Sequence, residues 1–245
     1  MTRAHWPQVC TVGVDGFLVR FGDHLSEAAN RAALAFRSAL EAAQLEGVAE
    51  TSTSLASTYL RFDALSYDHA QIEKMLSPLV REQDWFAASL PEGRRLWRIP
   101  TLYGTELAPK LAEAAELAGL TVADAITGLS TSRVRVQTIG FAPGQPYLGE
   151  LAPTWDIPRQ TGLTARVPVG AVTVAIRQIV LFSVTAPTGW RHVGQTAFQA
   201  FRPESATPFV LNPGDEVLFP AIDPGVFARL KDSGPDGGAT YEPIP

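Results

Sequence analysis

The chain has 245 residues, of which 46% are hydrophobic and 18% are charged, and its formal net charge is -5. This length suits one large or two modest domains, and the apolar fraction is high enough to build hydrophobic cores rather than a disordered chain. The acidic balance disfavours a general binder of nucleic acids or anionic membranes. The single cysteine, Cys10, excludes an internal disulfide and a zinc site built from cysteines.

No segment of the sequence has the pattern of a secretion signal or a membrane span. The N-terminal 16 residues lack the apolar stretch of a signal peptide. The most apolar segment, residues 171–184, is interrupted by Arg177 and Gln178 and is too short to cross a bilayer. We therefore expect a soluble, cytoplasmic protein.

The first part of the chain predicts a small α+β domain. Residues 9–21 favour two strands around the turn pair Asp15-Gly16, and Ser26 is a candidate N-cap for a helix reaching about residue 45. A strand at 55–62, a helix at 68–80 and a strand at 94–99 follow by hydrophobic periodicity. This order predicts a sheet with helices on one face.

The second part changes character. Prolines number 5 in residues 1–130 and 14 in residues 131–245, so turns become much more frequent. Two helices, the second starting at Thr121, precede several short strands, and this pattern predicts a closed or nearly closed β-barrel. We expect domains at 1–100 and 101–232, and a flexible tail at 233–245.

Self-contained catalytic motifs are missing from the sequence. It contains no G-x-x-x-x-G-K-[ST] loop, no dinucleotide fingerprint and no G-x-S-x-G elbow. The four histidines are scattered, with no pair at metal-ligand spacing, so we predict no metal site and identify no catalytic residue. Cys10 lies in an apolar strand, which favours a buried, inert thiol.

The segment from Gly140 to Gly149 is the unusual one. Its three glycines and two prolines fix a backbone path, while Phe141 and Tyr147 add aromatic faces. Such a loop can wall a pocket, because glycine lets a ligand approach the backbone, but a rigid turn between two strands has the same composition.

Residues that follow this loop in the sequence extend the candidate site. Arg159 and Arg166 have side chains that suit carboxylates or phosphates, although isolated arginines more often form surface ion pairs. Gln178 interrupts an apolar run, so its amide must bond either backbone or a ligand. Gly189 and Trp190 add a turn and a large aromatic.

These blocks together resemble the family of allophanate hydrolase subunit 1, the B-type subunit of 5-oxoprolinase and the Kip-type inhibitor of a sporulation histidine kinase, a family of carboxyltransferase subdomain C/D type. The resemblance covers nearly the whole chain and rests on the following segments: residues 19–23, 99–104, 119–121, 140–149, 158–159, 166–170, 187–190, 193–196 and 212–217, together with Gln178.

The resemblance implies a ferredoxin-like N-terminal domain and a cyclophilin-like β-barrel C-terminal domain. It also implies a larger carboxyltransferase-like partner subunit, ATP used together with that partner, and a small-molecule substrate. The substrate-binding residues that we predict on this basis are Phe141, Pro143, Gly144, Tyr147, Arg159, Arg166, Gln178, Gly189 and Trp190.

The sequence departs from the family pattern at several positions. Thr105 and Thr188 each replace a glycine, Lys110 replaces an aspartate and Leu129 a histidine, and Arg133, Val134, Ile176 and Val180 also differ from the usual residues. We expect these departures to cluster around the pocket, where Ile176 and Val180 would add bulk and the missing histidine would remove a proton-transfer group.

Three functions therefore stay open. The first is a subunit of an ATP-dependent amidohydrolase of the 5-oxoprolinase or allophanate hydrolase type. The second is a protein inhibitor of a histidine kinase, which would need an exposed apolar surface on the C-terminal domain. The third is a non-catalytic paralogue that only stabilises its larger partner.

Overall fold

The computed structural model of the chain describes residues 5–245, and these divide into two compact units, the first ending at Glu92 and the second running from Gly93 to Pro245. Residues 1–4 lie outside the described residues. They belong to the N-terminal segment that we expect not to be a signal peptide. No helix within residues 5–245 is long and apolar enough to cross a membrane.

The first unit is a four-stranded antiparallel sheet with two helices. Its elements in chain order are β1 (Gln8–Val12), β2 (Gly16–Arg20), α1 (Glu27–Ala43), β3 (Val48–Ser54), β4 (Ser57–Phe62) and α2 (His69–Val80). The strands lie in the order β1-β2-β4-β3. Sheet and helices share one hydrophobic core, which contains Phe36 of α1, Leu76 of α2 and Phe62 of β4.

Local sequence features set the limits of these elements. The hairpin predicted around Asp15-Gly16 is confirmed, because Val12 pairs with Gly16 across the turn. Helix α1 begins after Ser26, whose side chain accepts a hydrogen bond from the backbone N–H of Ala29, as predicted. It ends two residues earlier than expected, because Gln44 takes a left-handed conformation.

The second unit is a nine-stranded sheet that curls into a half-barrel. Its strands are β5 (Arg94–Arg98), β6 (Thr101–Tyr103), β7 (Val134–Ile139), β8 (Pro146–Gly149), β10 (Ala171–Ala175), β11 (Gln178–Leu181), β13 (Arg191–Thr196), β14 (Glu216–Leu218) and β15 (Thr240–Ile244). They lie in the order β15-β5-β14-β7-β8-β11-β10-β13-β6, and only β14 and β5 pair in parallel.

Helices and a short ribbon complete this unit. They are α3 (Leu111–Leu117), α4 (Val122–Thr131), α5 (Pro224–Lys231) and the two-stranded ribbon of β9 (Thr164–Val167) with β12 (Ala186–Thr188). A 3-10 turn lies at Pro153–Trp155. The main core includes Leu129, Val134 and Val193, and a smaller core includes Val167, Phe182 and Trp190. The smaller core is the one that lies beside the candidate site.

Two of the expected boundaries differ from the structure. The sequence pattern assigns strand β5 to the N-terminal domain, but it pairs with β14 and β15, so it lies in the second unit. The tail expected to be flexible contains β15, which pairs with β5 over five residue pairs from Thr240 to Ile244. Both differences arise from pairing across more than 100 residues, which no local pattern records.

Candidate functional site

The second unit contains a cavity of about 370 Å3, a size within the range of roughly 300–1,000 Å3 that small-molecule sites occupy. The loop that precedes β8, the β11 strand and the segments around the β9–β12 ribbon supply its walls. The lining residues are Phe141, Gln145, Tyr147, Arg159, Gln160, Leu163, Val180, Phe182, Pro187, Thr188, Gly189 and Trp190. Most of these side chains are apolar or aromatic, so the cavity favours a ligand with an apolar body.

Aromatic rings and one arginine form one side of the cavity. The rings of Tyr147 and Trp190 meet edge to face, with their centroids 6.0 Å apart. The guanidinium carbon of Arg159 lies 5.4 Å from the centroid of the Trp190 ring, which is cation–π distance. Trp190 is buried and Arg159 is exposed. The indole therefore holds a positive charge at the rim, where a carboxylate could reach it.

One of the polar residues that line the cavity is Gln145. This residue is only 1% exposed, and its Oε1 atom accepts no hydrogen bond from the described residues. The turn that positions it has Phe141 and Gly144 with positive φ, and its backbone N–H donates to Ala142 O at 3.1 Å. A buried acceptor without a donor costs free energy, which a bound N–H group would recover.

A cluster of ion pairs lines a second cavity, which lies next to the first. Gln160 and Leu163 line both cavities. Arg191 Nε lies 2.9 Å from Glu113 Oε1, and Lys110 Nζ lies 2.6 Å from Glu113 Oε2. The hydrogen bond from Lys110 is the main cause that lowers the pKa of Glu113, and Arg191 contributes further. Both cations therefore share one carboxylate, which balances only one of their two positive charges.

Gln160 and His192 are two further polar residues near this cluster. Gln160 Nε2 donates to the backbone oxygen of Trp190 at 3.0 Å, which ties the two cavity walls together. His192 is buried in β13, and burial lowers the pKa of its imidazole, so it is neutral at pH 7. It does not line either cavity.

Of the nine residues predicted to bind substrate, five line the cavity. They are Phe141, Tyr147, Arg159, Gly189 and Trp190. The loop from Gly140 to Gly149 therefore forms part of a cavity wall, which is one of the two roles that its sequence allowed.

The other four residues lie outside the cavity lining. Pro143 and Arg166 are exposed, and Gly144 is buried where an added Cβ would come within 3.1 Å of Phe201 Cβ. Gln178 donates from Nε2 to Gln137 Oε1 at 2.7 Å, inside the sheet. The amide of Gln178 therefore has a partner within the protein itself.

Most departures from the family pattern lie away from the cavity, which corrects the expectation. Of these positions, Val180 and Thr188 line it. Leu129 and Val134 are fully buried in the main core, where apolar side chains are required. Lys110 belongs to the ion-pair cluster, and Ile176 lies in the exposed turn between β10 and β11.

Val180 and Thr105 show that departures from the family pattern differ in what they do in the structure. Val180 packs with Phe182 and Trp190 in the smaller core. Thr105 lies in a turn, where its Oγ1 atom accepts a hydrogen bond from Leu107 N at 3.3 Å. Positions that differ from a family pattern can thus be structural substitutions rather than changes to a binding site.

Five lining residues were missed from sequence: Gln145, Gln160, Leu163, Phe182 and Pro187. Val180 and Thr188 were expected near the pocket only as departures from the family pattern. For Gln145 a signal was present, since it is a polar residue inside a loop of glycines, prolines and aromatics. The apolar members resemble any core residue in sequence, so only the tertiary structure identifies them.

The described residues hold no group of three or more His, Cys, Asp or Glu side chains placed to bind a metal ion. The chemistry that the cavity itself offers is recognition. It combines apolar walls, one cation at the rim and one buried carboxamide.

Known proteins are similar to this chain in sequence and in fold. The chain is 28% identical over 232 residues to the B-type subunit of 5-oxoprolinase from Bacillus subtilis, and the match covers 92% of this chain and 97% of the relative. The crystal structure of TTHA0988 is 33% identical, with a TM-score of 0.71 over 86% of this chain. This chain spans 40% of the TTHA0988 chain.

A more distant structure supports the fold alone. The urea carboxylase of Kluyveromyces lactis is 14% identical, and its TM-score is 0.75 over 96% of this chain and 24% of that one. The family model described as carboxyltransferase domain, subdomain C and D, matches residues 7–211. The chain therefore belongs to the carboxyltransferase subdomain C and D family.

Proposed function

We propose that this chain is one subunit of an ATP-dependent amidohydrolase of the 5-oxoprolinase or allophanate hydrolase type. The observation that carries the proposal is the cavity with a cation at its rim and a buried amide inside, in a chain matched over almost its full length by a 5-oxoprolinase subunit of the B type. A cyclic amide with a carboxylate has the two polar groups that such a cavity would recognise.

In this proposal the cavity holds the small-molecule substrate. Arg159 pairs with its carboxylate, because the planar guanidinium fork matches a carboxylate and Trp190 holds the fork in place. Tyr147, Phe182 and Trp190 pack against the apolar ring and exclude water. Arg166, which is exposed outside the cavity, is available to the partner subunit.

The chain would work with a larger carboxyltransferase-like subunit in the cytoplasm. ATP would be used together with that partner, because this sequence has no P-loop motif and its cavity is largely apolar. ATP supplies the activation that opening a stable ring amide requires. This chain's own residues bind and orient the substrate.

The proposal includes a cyclophilin-like fold for the second unit and a ferredoxin-like fold for the first. The nine-stranded half-barrel supports a cyclophilin-like second unit. For the first unit, the proposed ferredoxin-like fold has to accommodate an antiparallel sheet of order β1-β2-β4-β3 with two helices.

One observation favours a second function, the protein inhibitor of a histidine kinase. Phe141 and Leu163, at the cavity rim, are 75% and 73% exposed, which is unusual for large apolar side chains. A protein partner could cover them.

Affinity purification of the tagged chain from its host, followed by mass spectrometry, tests the proposal. A larger carboxyltransferase-like protein in a stoichiometric complex that opens 5-oxoproline with ATP would support it. A histidine kinase recovered in its place would overturn it in favour of the inhibitor. A complex in which Arg159→Ala leaves the KM for 5-oxoproline unchanged would refute the role given to the cavity.

A further inference from the structure

The side-chain oxygen of Gln145 is a buried acceptor without a hydrogen-bond donor among the described residues. Gln145 lines the cavity, is 1% exposed, and has an Oε1 atom without a hydrogen-bond donor among residues 5–245. Burying an acceptor without a partner is unfavourable, and such groups in folded proteins usually have one. Its partner is therefore to be sought in the ligand.

The cavity has donors of its own, but none of them reaches this atom. The lining side chains with an N–H or O–H group are those of Tyr147, Arg159, Gln160, Thr188 and Trp190, and no described residue donates to Gln145 Oε1. A ligand in the cavity is therefore the candidate source of the N–H or O–H group that pairs with Oε1.

A primary carboxamide places an acceptor and a donor side by side at one end of the side chain. Its full complement is a group with an N–H and a C=O on the same side, so that two hydrogen bonds form at once. Ring amides have this arrangement by constraint, and terminal carboxamides and ureas have it too. An ordinary peptide bond does not, because it is trans and its N–H and C=O point in opposite directions.

We propose that Gln145 is the specificity-determining residue of the cavity and selects ligands whose amide N–H and C=O lie on the same side. The ligand N–H donates to Oε1, and Nε2 donates to the ligand carbonyl, while the carboxylate reaches Arg159. This inference rests on the proposed function and deepens it, since it names the part of the substrate that the chain recognises and excludes a trans peptide as the occupant.

The test is calorimetric titration of the full chain with three acids of nearly equal shape. They are 5-oxoproline, its N-methyl derivative, and the lactone in which oxygen replaces the ring nitrogen. The native chain should bind 5-oxoproline at least about tenfold more tightly than either analogue, because only the lactam satisfies the buried acceptor. In Gln145→Leu the three affinities should agree within about twofold, since the discriminating group is absent.

Two control variants separate specificity from general damage. Gln199→Leu makes the same change at an exposed position of the same unit and should keep the native preference. Arg159→Ala should weaken all three acids by a similar factor and preserve their ratio. If Gln145→Leu fails to fold, Gln145→Glu serves instead, because its carboxylate at pH 7 has no donor for the lactam carbonyl and should lose lactam binding.

Equal binding of the lactam and its N-methyl derivative by the native chain would overturn the inference. So would a preference that persists in Gln145→Leu. If the chain alone binds none of the acids, the titration is repeated with the complex recovered from the host, and the same lack of binding there would also overturn it. If the native chain prefers 5-oxoproline but affinity purification recovers no hydrolase partner, only the proposed function is contradicted.

Discussion

The amide pair of Gln178 and Gln137 yields the most quantitative prediction. The sequence predicts that Gln178 binds substrate, but its Nε2 atom donates to Gln137 Oε1 at 2.7 Å, and the two residues are 6% and 1% exposed. Gln178→Met keeps the side-chain length and removes the donor. Depriving a buried carbonyl of its donor costs about 1–3 kcal/mol, so the second unit should melt about 2–12 °C lower.

A double-mutant cycle by scanning calorimetry measures this pair. Gln137→Met with Gln178→Met removes both partners together, so the double variant should be more stable than the sum of the two single effects by about 0.5–3 kcal/mol. Binding of 5-oxoproline should change little in Gln178→Met, because the residue lies outside the cavity lining. Additive single effects, or a stable Gln178→Met that loses ligand binding, would refute this reasoning.

Three further predictions concern stability, each measured by urea unfolding. Burial lowers the pKa of His192 below its ordinary 6.5, so the unfolded chain takes up a proton that the folded chain refuses, and stability falls as the pH drops below 6.5. His192→Gln should flatten the slope between about pH 7.5 and about pH 5.5 by up to about 1.4 kcal/mol per pH unit, and an unchanged slope would contradict this. Ile176 has a φ of 43° and is 42% exposed. Ile176→Gly should therefore raise the free energy of unfolding by up to about 1 kcal/mol, because glycine adopts the left-handed conformation without strain. A lower free energy of unfolding would show that the packing of the Ile176 side chain matters more. Gly170→Ala should lower the free energy of unfolding by more than about 2 kcal/mol, because the new Cβ would lie 2.2 Å from Thr196 O. The control Gly93→Ala has a similar φ and open space around the new Cβ, so it should cost only about 1 kcal/mol. Equal costs for the two variants would refute the clash.

Sequence patterns predicted the elements whose causes are local. Ser26 and Thr121 cap their helices because a side-chain oxygen can accept from a backbone N–H three residues on, and both bonds are present. The hairpin at Asp15-Gly16 has a similarly local cause. Strand β3 was missed because its sequence, VAETSTS, has no clear hydrophobic alternation and gains its place only by pairing with β4.

Long-range pairing and cavity formation were beyond local patterns. Strand β5 joins the second unit through β14, whose partner residues lie about 120 positions later in the chain. Cys10, expected to be buried, is half-buried because β1 is the edge strand of its sheet. At the site, Phe141, Tyr147 and Trp190 could be predicted from residue type. The lack of a donor to Gln145 Oε1 among the described residues depends instead on which side chains surround it.

The binding of a carboxylate-bearing ring amide in the cavity is tested most directly by a crystal structure of the chain, or of its complex, with 5-oxoproline. We expect the ring between Tyr147 and Trp190, with its amide edge at hydrogen-bond distance, about 2.7–3.2 Å, from the Gln145 carboxamide and its carboxylate at Arg159. An empty cavity with 5-oxoproline bound elsewhere in the same crystal would contradict the site and the role of Gln145 together.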